Sequence, residues 1–195
     1  TAATPKLYPG FEKGFSQVES IGTYRSLDLE PQGMDQKVPP DNTRDKDSEE
    51  VLKYHTTLIT DSTIKWLERQ EDKPWFFWVD YESTHEPWRP PEPYGSICDV
   101  IHVVIKITVP RMYEPDMGSR ERRHMMALYD GEVTLIDKKN GRIIEVLHKL
   151  DLRSDTLIIL LADHGVFLGE HDFFKKPPFL YDPLIRSTLI FSWAK

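Results

Sequence analysis

The feature that most constrains the fold of this chain is the apolar stretch 156–162, which runs directly into Asp163-His164-Gly165. An apolar run without polar alternation is typical of a strand buried on both faces, as in the parallel sheets of α/β proteins. Ligands in open α/β sheets bind beyond the carboxyl ends of the strands. Because Asp163 offers oxygen and His164 offers nitrogen, the stretch predicts a metal site at this strand end. The alternative is a strand end that is merely capped by polar residues.

A fixed order of polar groups follows this strand. The segment 169–171, Gly-Glu-His, is followed by Lys176 and then by Arg186 before the apolar run 189–191. This order resembles the second half of the catalytic domain of the sulfatase family, within the alkaline phosphatase superfamily. That family carries Asp-His-Gly or Asp-Asn-Gly after a strand, then Leu-Gly-Glu/Asp-His, an active-site lysine, and an arginine before a further strand. Thr188 departs from the family pattern, which usually has proline there, but it lies at a strand entry.

A second motif lies upstream, after the aromatic segment 75–80, which is suited to a short buried strand. The segment leads to His85-Glu86-Pro87 and a proline-rich loop. Sulfatases place a His-x-Pro motif after such a strand, and the resemblance implies that His85 contacts the sulfate or the leaving-group oxygen. Taken alone, a histidine beside prolines is more typical of a surface loop.

Two helical patterns complete the chain. Apolar residues recur at intervals compatible with a 3.6-residue period across 119–150, and Ser48 is suited to cap a helix over 49–69. The residues expected on the inner faces are Leu52, Leu58, Ile59, Trp66 and Leu67 in the earlier helix and Ala127, Val133, Ile136, Ile143, Ile144 and Leu147 in the later one. The charged residues 121–123 are interpreted as a solvated face, and the segment 27–46 as a long loop.

Composition bounds the remaining possibilities. The 195 residues form one domain or part of one, and a hydrophobic content of 39% suffices for a core of ordinary size. The net charge of −7 argues against non-specific binding of nucleic acid, which requires a basic surface. No apolar run approaches the ~20 residues that a membrane-spanning helix needs.

The single cysteine, Cys98, bears on what the chain is expected to lack. Sulfatases oxidise a Cys or Ser within Cys/Ser-x-Pro-Ser-Arg to formylglycine, but no Pro-Ser-Arg follows Cys98, which is interpreted as a packed thiol. The family's paired aspartates after its first strand are absent as well. We therefore expect residues 1–195 to be a partial sulfatase catalytic domain, lacking the N-terminal third that bears the nucleophile and the C-terminal subdomain, and inactive alone. The alternative is a complete, inactive chain.

The resemblance implies an alkaline-phosphatase-like α/β fold, a mostly parallel sheet flanked by helices on both faces, here only in part. It also implies roles for four residues. Lys176, whose spacing from Asp163 matches the family better than that of Lys175, would stabilise negative charge on the sulfate oxygens. His85 would bond the bridging oxygen or protonate it as it leaves. Asp163 and His164 would bind a divalent metal: calcium is expected, and magnesium, manganese or zinc are alternatives because imidazole suits transition metals.

The activity implied by the resemblance is that of a sulfuric ester hydrolase acting on a sugar or an aryl alcohol. A phosphonate monoester or phosphodiester hydrolase of the same superfamily is the nearest alternative, and a non-catalytic protein that binds a sulfated glycan is another. The expected partners are a sulfated small molecule or glycan and the segment that completes the site. Family resemblance favours a periplasmic or secreted location. Trp88, Arg89 and Tyr94 either line a pocket for the alcohol or pack the loop.

Overall fold

In the computed structural model the chain divides into two compact units, residues 1–83 and 84–195. The structure describes the backbone of residues 2–4, 18–20, 46–55 and 97, and both backbone and side chains of residues 13, 15, 56–70, 74–96 and 109–194. Cys98 and nearly all of the loop predicted for 27–46 lie outside the described residues.

The first unit combines short parallel strands with one long helix. Strands β1 (Ala2–Thr4), β2 (Val18–Ser20) and β3 (Trp78–Val79) form a sheet in the order β2-β1-β3, and both pairings are parallel. Helix α1 spans Lys46–Leu67 and confirms the helix predicted for 49–69, but the predicted cap at Ser48 is wrong because the helix begins two residues earlier. Strand β3 is shorter than the predicted aromatic strand, and Phe76, which precedes it, is largely exposed.

The buried face of α1 mixes apolar residues with threonines. Ile59 and Leu67 are buried, as predicted, but Thr56, Thr60 and Thr63 are buried with them. The Thr60 hydroxyl donates to the carbonyl oxygen of Thr56 at 2.8 Å, and that of Thr63 donates to the carbonyl oxygen of Ile59 at 2.7 Å. Because these hydroxyls are hydrogen-bonded within the helix, their burial costs little. The threonines interrupt the apolar pattern of α1 in the sequence, but they are buried together with its apolar residues, so the buried face of the helix is continuous.

The second unit carries every candidate site residue. Its helices are α2 (Tyr94–Ile97), α3 (Ser119–Lys149) and α4 (Asp182–Ile185), and its strands are β4 (Ile158–Leu161), β5 (Phe167–Leu168), β6 (Phe174–Lys175) and β7 (Leu189–Ser192). Strand β4 pairs antiparallel with β7, and β5 pairs antiparallel with β6. Short 3-10 turns lie at Arg153–Asp155 and Glu170–Asp172.

The burial predicted for the strand before Asp163 is wrong in this structure. Ile159 and Leu160 are neighbours in β4 and so point to opposite faces, yet they are 46% and 38% exposed. An apolar run shows that the side chains are hydrophobic, whereas their burial requires another layer of structure to cover them. Within the described part of the chain, β7 is the only strand paired with β4. Helices and small sheets together nevertheless give the predicted mixed α/β class.

Helix α3 confirms the helix predicted for 119–150 and forms one side of a hydrophobic core. Ala127 and Leu147 are buried as predicted, but Val133 and Ile144 are exposed. The buried members of the core are Trp88, Met125, Leu128 and Phe174. Trp88 is completely buried, so it packs the loop and does not line a pocket. Neither α3 nor any other helix in the described residues is long and apolar enough to cross a membrane.

Candidate functional site

Glu86 connects the two predicted catalytic side chains, His85 and Lys176. Its Oε2 accepts a hydrogen bond from Lys176 Nζ at 2.7 Å, and the same oxygen lies 3.7 Å from His85 Nδ1. Glu86 and Lys176 are 90 residues apart in the sequence, so only the fold brings them together. The Glu86 side chain is 13% exposed and that of His85 is 48% exposed. The structure thus gathers His85 and Lys176 at one charged, partly open position.

The hydrogen bond of His85 determines which ring nitrogen can act on a ligand. Nδ1 lies 2.7 Å from the backbone carbonyl oxygen of Glu86. A carbonyl oxygen only accepts hydrogen bonds, so Nδ1 carries the proton in this contact. In the neutral ring Nε2 is then an acceptor, and it becomes a donor only in the imidazolium form. His85 must therefore be protonated to bond or protonate the bridging oxygen of an ester.

Glu86 is held in its ionised form although it is partly buried. Burial raises the pKa of its carboxyl, but hydrogen bonds from Lys176 and from the backbone, with the positive charges of Lys176 and His85, leave the pKa below its usual value. Burial also lowers the pKa of the neighbouring Lys175, an effect that the Glu86 charge opposes. These side chains therefore form a partly desolvated charge cluster, unlike a pair of solvated surface lysines.

The predicted metal ligands Asp163 and His164 form a tight turn directly after β4. Asp163 Oδ1 accepts the backbone N–H of His164 at 2.8 Å, and His164 Nδ1 donates to the carbonyl oxygen of Gly165 at 2.7 Å. Because Nδ1 carries the proton, Nε2 holds the available lone pair of the neutral ring. This Nε2 lies 3.5 Å from Asp163 Oδ2, and the Asp163 side chain is 84% exposed.

The turn fits part of a metal site. A carboxylate oxygen beside an imidazole nitrogen suits a divalent cation. Gly165 allows the turn, because a Cβ at this position would strike the carbonyl oxygen of Pro183. Within the described residues, no group of three or more His, Cys, Asp or Glu side chains is arranged to hold a metal. Asp163 and His164 thus supply two donors, and a complete coordination sphere needs further ligands.

Arg122 on α3 fixes the loop that precedes Lys176. Its guanidinium donates to the carbonyl oxygen of Gly169 at 2.7 Å, to Asp172 Oδ1 at 2.6 Å, and to two further backbone carbonyls. The interpretation of 121–123 as a solvated face is wrong for Arg122, whose side chain is only 22% exposed. No local sequence pattern indicates this role, because the partners of Arg122 in the loop lie about 50 residues farther along the chain.

The loop that Arg122 holds has a strained backbone. The non-glycine residues His171, Asp172 and Lys175 have φ angles of 53°, 64° and 64°. Left-handed conformations of non-glycine residues cost of order 1 kcal/mol each and persist only where the surroundings compensate. The Arg122 hydrogen bonds supply part of this compensation, and the His171 ring stacks on Tyr181 at a centroid distance of 4.7 Å. The loop that places Lys176 is therefore determined by its contacts.

We expect an Arg122→Lys variant to lose ~2 kcal/mol of the free energy of unfolding, because lysine lacks the planar fork that serves several acceptors at once and leaves some of them unpaired. Urea denaturation of the two proteins measures this difference. Arg123→Lys is the matched control, since Arg123 is exposed on the same helix, and it should change the stability by less than ~0.5 kcal/mol. Equal losses in the two variants would contradict the clamping role of Arg122.

Helix α3 also supports the loop that carries His85. Glu132 Oε1 accepts the backbone N–H of Arg89 at 3.0 Å. Trp88 donates its indole N–H to the carbonyl oxygen of Thr84 at 3.0 Å and packs against the helix in the core. Thr84 directly precedes the His-x-Pro motif, and Trp88 and Arg89 directly follow it. Helix α3 therefore helps to determine the position of His85.

Glu132 is a functional candidate that the sequence reasoning missed. It is 1% exposed; burial raises its pKa to about 8, and the hydrogen bond from the Arg89 backbone opposes the rise. Its sequence position offers a signal that could have found it, because it lies between Leu128 and Leu135 at helical spacing. A carboxylate within an apolar stripe is expected to have a specific partner.

Comparisons with known proteins identify the family and the fold of the chain. The family model described as Sulfatase matches residues 11–195. An arylsulfatase of Clostridium perfringens is 24% identical over 155 residues, which cover 67% of this chain and 32% of the relative. The chain thus spans about a third of the length of that relative.

Two solved structures share the fold. The phosphonate monoester hydrolase of Agrobacterium radiobacter has a TM-score of 0.57 and 24% identity, covering 70% of this chain and 32% of its own. The protein BT4656, solved in complex with its substrate D-glucosamine-2-N,6-O-disulfate, has a TM-score of 0.53 and 19% identity, covering 71% of this chain and 42% of its own. These likenesses confirm the predicted alkaline-phosphatase-like fold.

Proposed function

Because the chain belongs to the sulfatase family, we propose that its activity is the hydrolysis of a sulfate ester of a sugar or an aryl alcohol. The observation that carries the proposal is the placement of His85 and Lys176 on one carboxylate oxygen of Glu86. A fixed cation and an imidazole at one position are the groups that an anionic ester requires, the first for its charge and the second for its leaving oxygen.

Lys176 is proposed to bind the sulfate oxygens. An ammonium has three N–H donors, and Glu86 accepts one of them. The others can donate to the ester, where the partly buried position makes the charge more effective than it would be in water. Because the Glu86 hydrogen bond already orients the ammonium, little rearrangement is needed when negative charge grows on the sulfate during bond breaking.

His85 is proposed to act on the leaving group. Its Nδ1 donates to the Glu86 carbonyl oxygen, so the transferable proton is the one on Nε2 of the imidazolium. This proton passes to the bridging oxygen as the bond between sulfur and that oxygen breaks, and the alcohol leaves uncharged. The neutral ring that remains keeps its Nδ1 proton and its hydrogen bond.

Asp163 and His164 are proposed as two ligands of a divalent cation, calcium being the expected ion. The carboxylate of Asp163 and Nε2 of His164 would hold it, and the bond from His164 Nδ1 to Gly165 keeps Nε2 available. When bound, the cation supplies withdrawal of charge from the sulfate oxygens. Formylglycine is the nucleophile that family resemblance implies, and the sequence contains no Cys/Ser-x-Pro-Ser-Arg motif. The proposed reaction therefore takes its nucleophile from residues outside this sequence.

Turnover of the complete protein tests the proposal. We expect kcat/KM for an aryl sulfate to exceed that for an aryl phosphate diester by about 100-fold or more, and Lys176→Met to lower it by ~100-fold, the usual effect of removing one donor to a developing charge. Lys138→Met, an exposed position on α3, is the control and should leave the rate unchanged. Faster hydrolysis of the diester would favour a phosphodiesterase, and no turnover of either ester would favour a non-catalytic binding protein.

A further inference from the structure

We propose that Glu86 sets the charge preference of the site, so that a singly charged ester is accepted in preference to a doubly charged one. This inference rests on the proposed function, because it names the element of the same site that discriminates between substrates. Glu86 is a specificity-determining residue in this view, distinct from the groups that transfer a proton or bind the sulfate.

Glu86 Oε2 lies close to both of the side chains that are proposed to act on the ester. This oxygen lies 2.7 Å from Lys176 Nζ and 3.7 Å from His85 Nδ1. The two nitrogens are therefore no farther apart than the sum of these distances. An ester whose oxygens contact Lys176, and whose bridging oxygen meets the His85 ring, must bind close to this carboxylate.

The charge of Glu86 acts there with little screening. Its side chain is 13% exposed, and charges away from solvent are screened much less by salt than exposed ones. A lysine alone attracts a doubly charged ligand more strongly than a singly charged one, in proportion to the ligand charge. A carboxylate paired with that lysine repels the ligand in the same proportion and cancels the advantage of the second charge. The ion pair therefore suits a sulfate monoester, which carries one negative charge.

The charges around Lys176 make Glu86 important for offsetting its attraction to a second negative charge on the ligand. Lys175 lies beside Lys176, and the charges that affect it are those of Glu86, Lys176 and Glu114. With the protonated His85 beside Glu86, three positive groups therefore face two carboxylates. Removing the Glu86 charge raises the net positive charge of the group by one unit, which favours the doubly charged ligand.

The test compares an aryl sulfate with an aryl phosphate monoester at about pH 8, where the phosphate carries two charges. In the complete protein, Glu86→Gln should raise the ratio of kcat/KM for phosphate to that for sulfate about tenfold or more, mainly through a lower KM for phosphate. Glu86→Asp keeps the charge, so it should lower kcat while the ratio stays within about threefold of wild type. Glu145→Gln removes an exposed carboxylate on α3 and should change neither value.

Each outcome decides the matter. Wild-type turnover of the sulfate with an unchanged ratio in folded Glu86→Gln overturns the inference alone. Wild-type protein that hydrolyses neither ester overturns the proposed function and this inference with it. If thermal unfolding shows that Glu86→Gln is not folded, Glu86→Asp decides: a lower kcat at a constant ratio supports the role, and a changed ratio overturns it.

Discussion

A Gly131→Ala variant is expected to lose about 3 kcal/mol or more of the free energy of unfolding, at the upper end of what overpacking costs. A Cβ at this buried position of α3 would lie 2.6 Å from the carbonyl oxygen of Tyr94 and 2.8 Å from Cγ of Pro90. One obstacle is backbone and the other is a proline ring, so neither moves aside at low cost. The helix must instead retreat from the segment that carries His85, and we expect the proposed activity to fall with the stability.

Urea denaturation of Gly131→Ala beside Gly141→Ala checks this expectation. Gly141 belongs to the same helix, but a Cβ there meets no atom within 4 Å. Alanine in a helix interior is more stable than glycine by ~0.5–1 kcal/mol, so Gly141→Ala should stabilise the chain. The two substitutions are chemically identical and differ only in their surroundings. Shifts of the same sign and size would contradict the close approach of α3 to the Pro90–Tyr94 segment.

The two long helices are predictable from the sequence because their signal is local. The apolar period over 119–150 and the helical pattern over 49–69 each depend on a few neighbouring residues, and α3 and α1 agree with both helices. The cap predicted at Ser48 is wrong, because α1 already begins at Lys46. Val133 and Ile144 belong to the apolar period of α3, yet both are exposed. A period identifies a helix, but which part of its apolar face is covered depends on the elements that pack against it.

Only some residues of the charge cluster at the candidate site can be predicted from the sequence. Family resemblance singles out His85 and Lys176 one at a time, and their roles stay predictions until they are tested. The residue that connects them, Glu86, has no local signal, because its partner Lys176 lies 90 residues away. The same holds for Arg122, whose carbonyl and carboxylate partners belong to a distant loop. Long-range ion pairs of this kind follow from topology, which a single sequence does not reveal.

For strand β4 the opposite holds. Its apolar sequence pattern is strong, but the burial predicted from that pattern is not observed. Apolar side chains lower the free energy only where another layer covers them. In the described residues Ile159 and Leu160 remain exposed on both faces of the strand. The Asp163 turn at its end is nevertheless formed, with two hydrogen bonds inside three consecutive residues and a third from the Gly165 N–H to the carbonyl oxygen of Leu184 at 2.7 Å. The local part of such a turn can be predicted from the sequence, whereas the burial of a strand depends on elements elsewhere in the chain.

The stability of the chain is expected to fall between about pH 4.5 and pH 8 because of Glu132. Burial raises its pKa from 4.5 to about 8, while the backbone N–H of Arg89 opposes the rise. Between these values the folded chain holds a proton that the unfolded chain has released. Stability therefore decreases as the pH rises through this window, by ~1.4 kcal/mol per pH unit and by up to ~5 kcal/mol in all. Above pH 8 the cost of the buried carboxylate is fully present.

Glu132→Gln isolates this contribution. A glutamine is neutral at every pH, and its amide oxygen can still accept the Arg89 N–H. The difference in free energy of unfolding between variant and wild type should be near zero at pH 4.5 and should grow steadily to its largest value at about pH 8. Urea denaturation at unit intervals of pH measures the difference directly, and other titrating groups cancel because both proteins share them. Glu145→Gln, exposed on the same helix, should give a flat profile. A difference for Glu132→Gln that did not vary with pH would mean that the carboxyl titrates at its ordinary value, and that α3 holds the Arg89 segment through a carboxylate already charged at neutral pH.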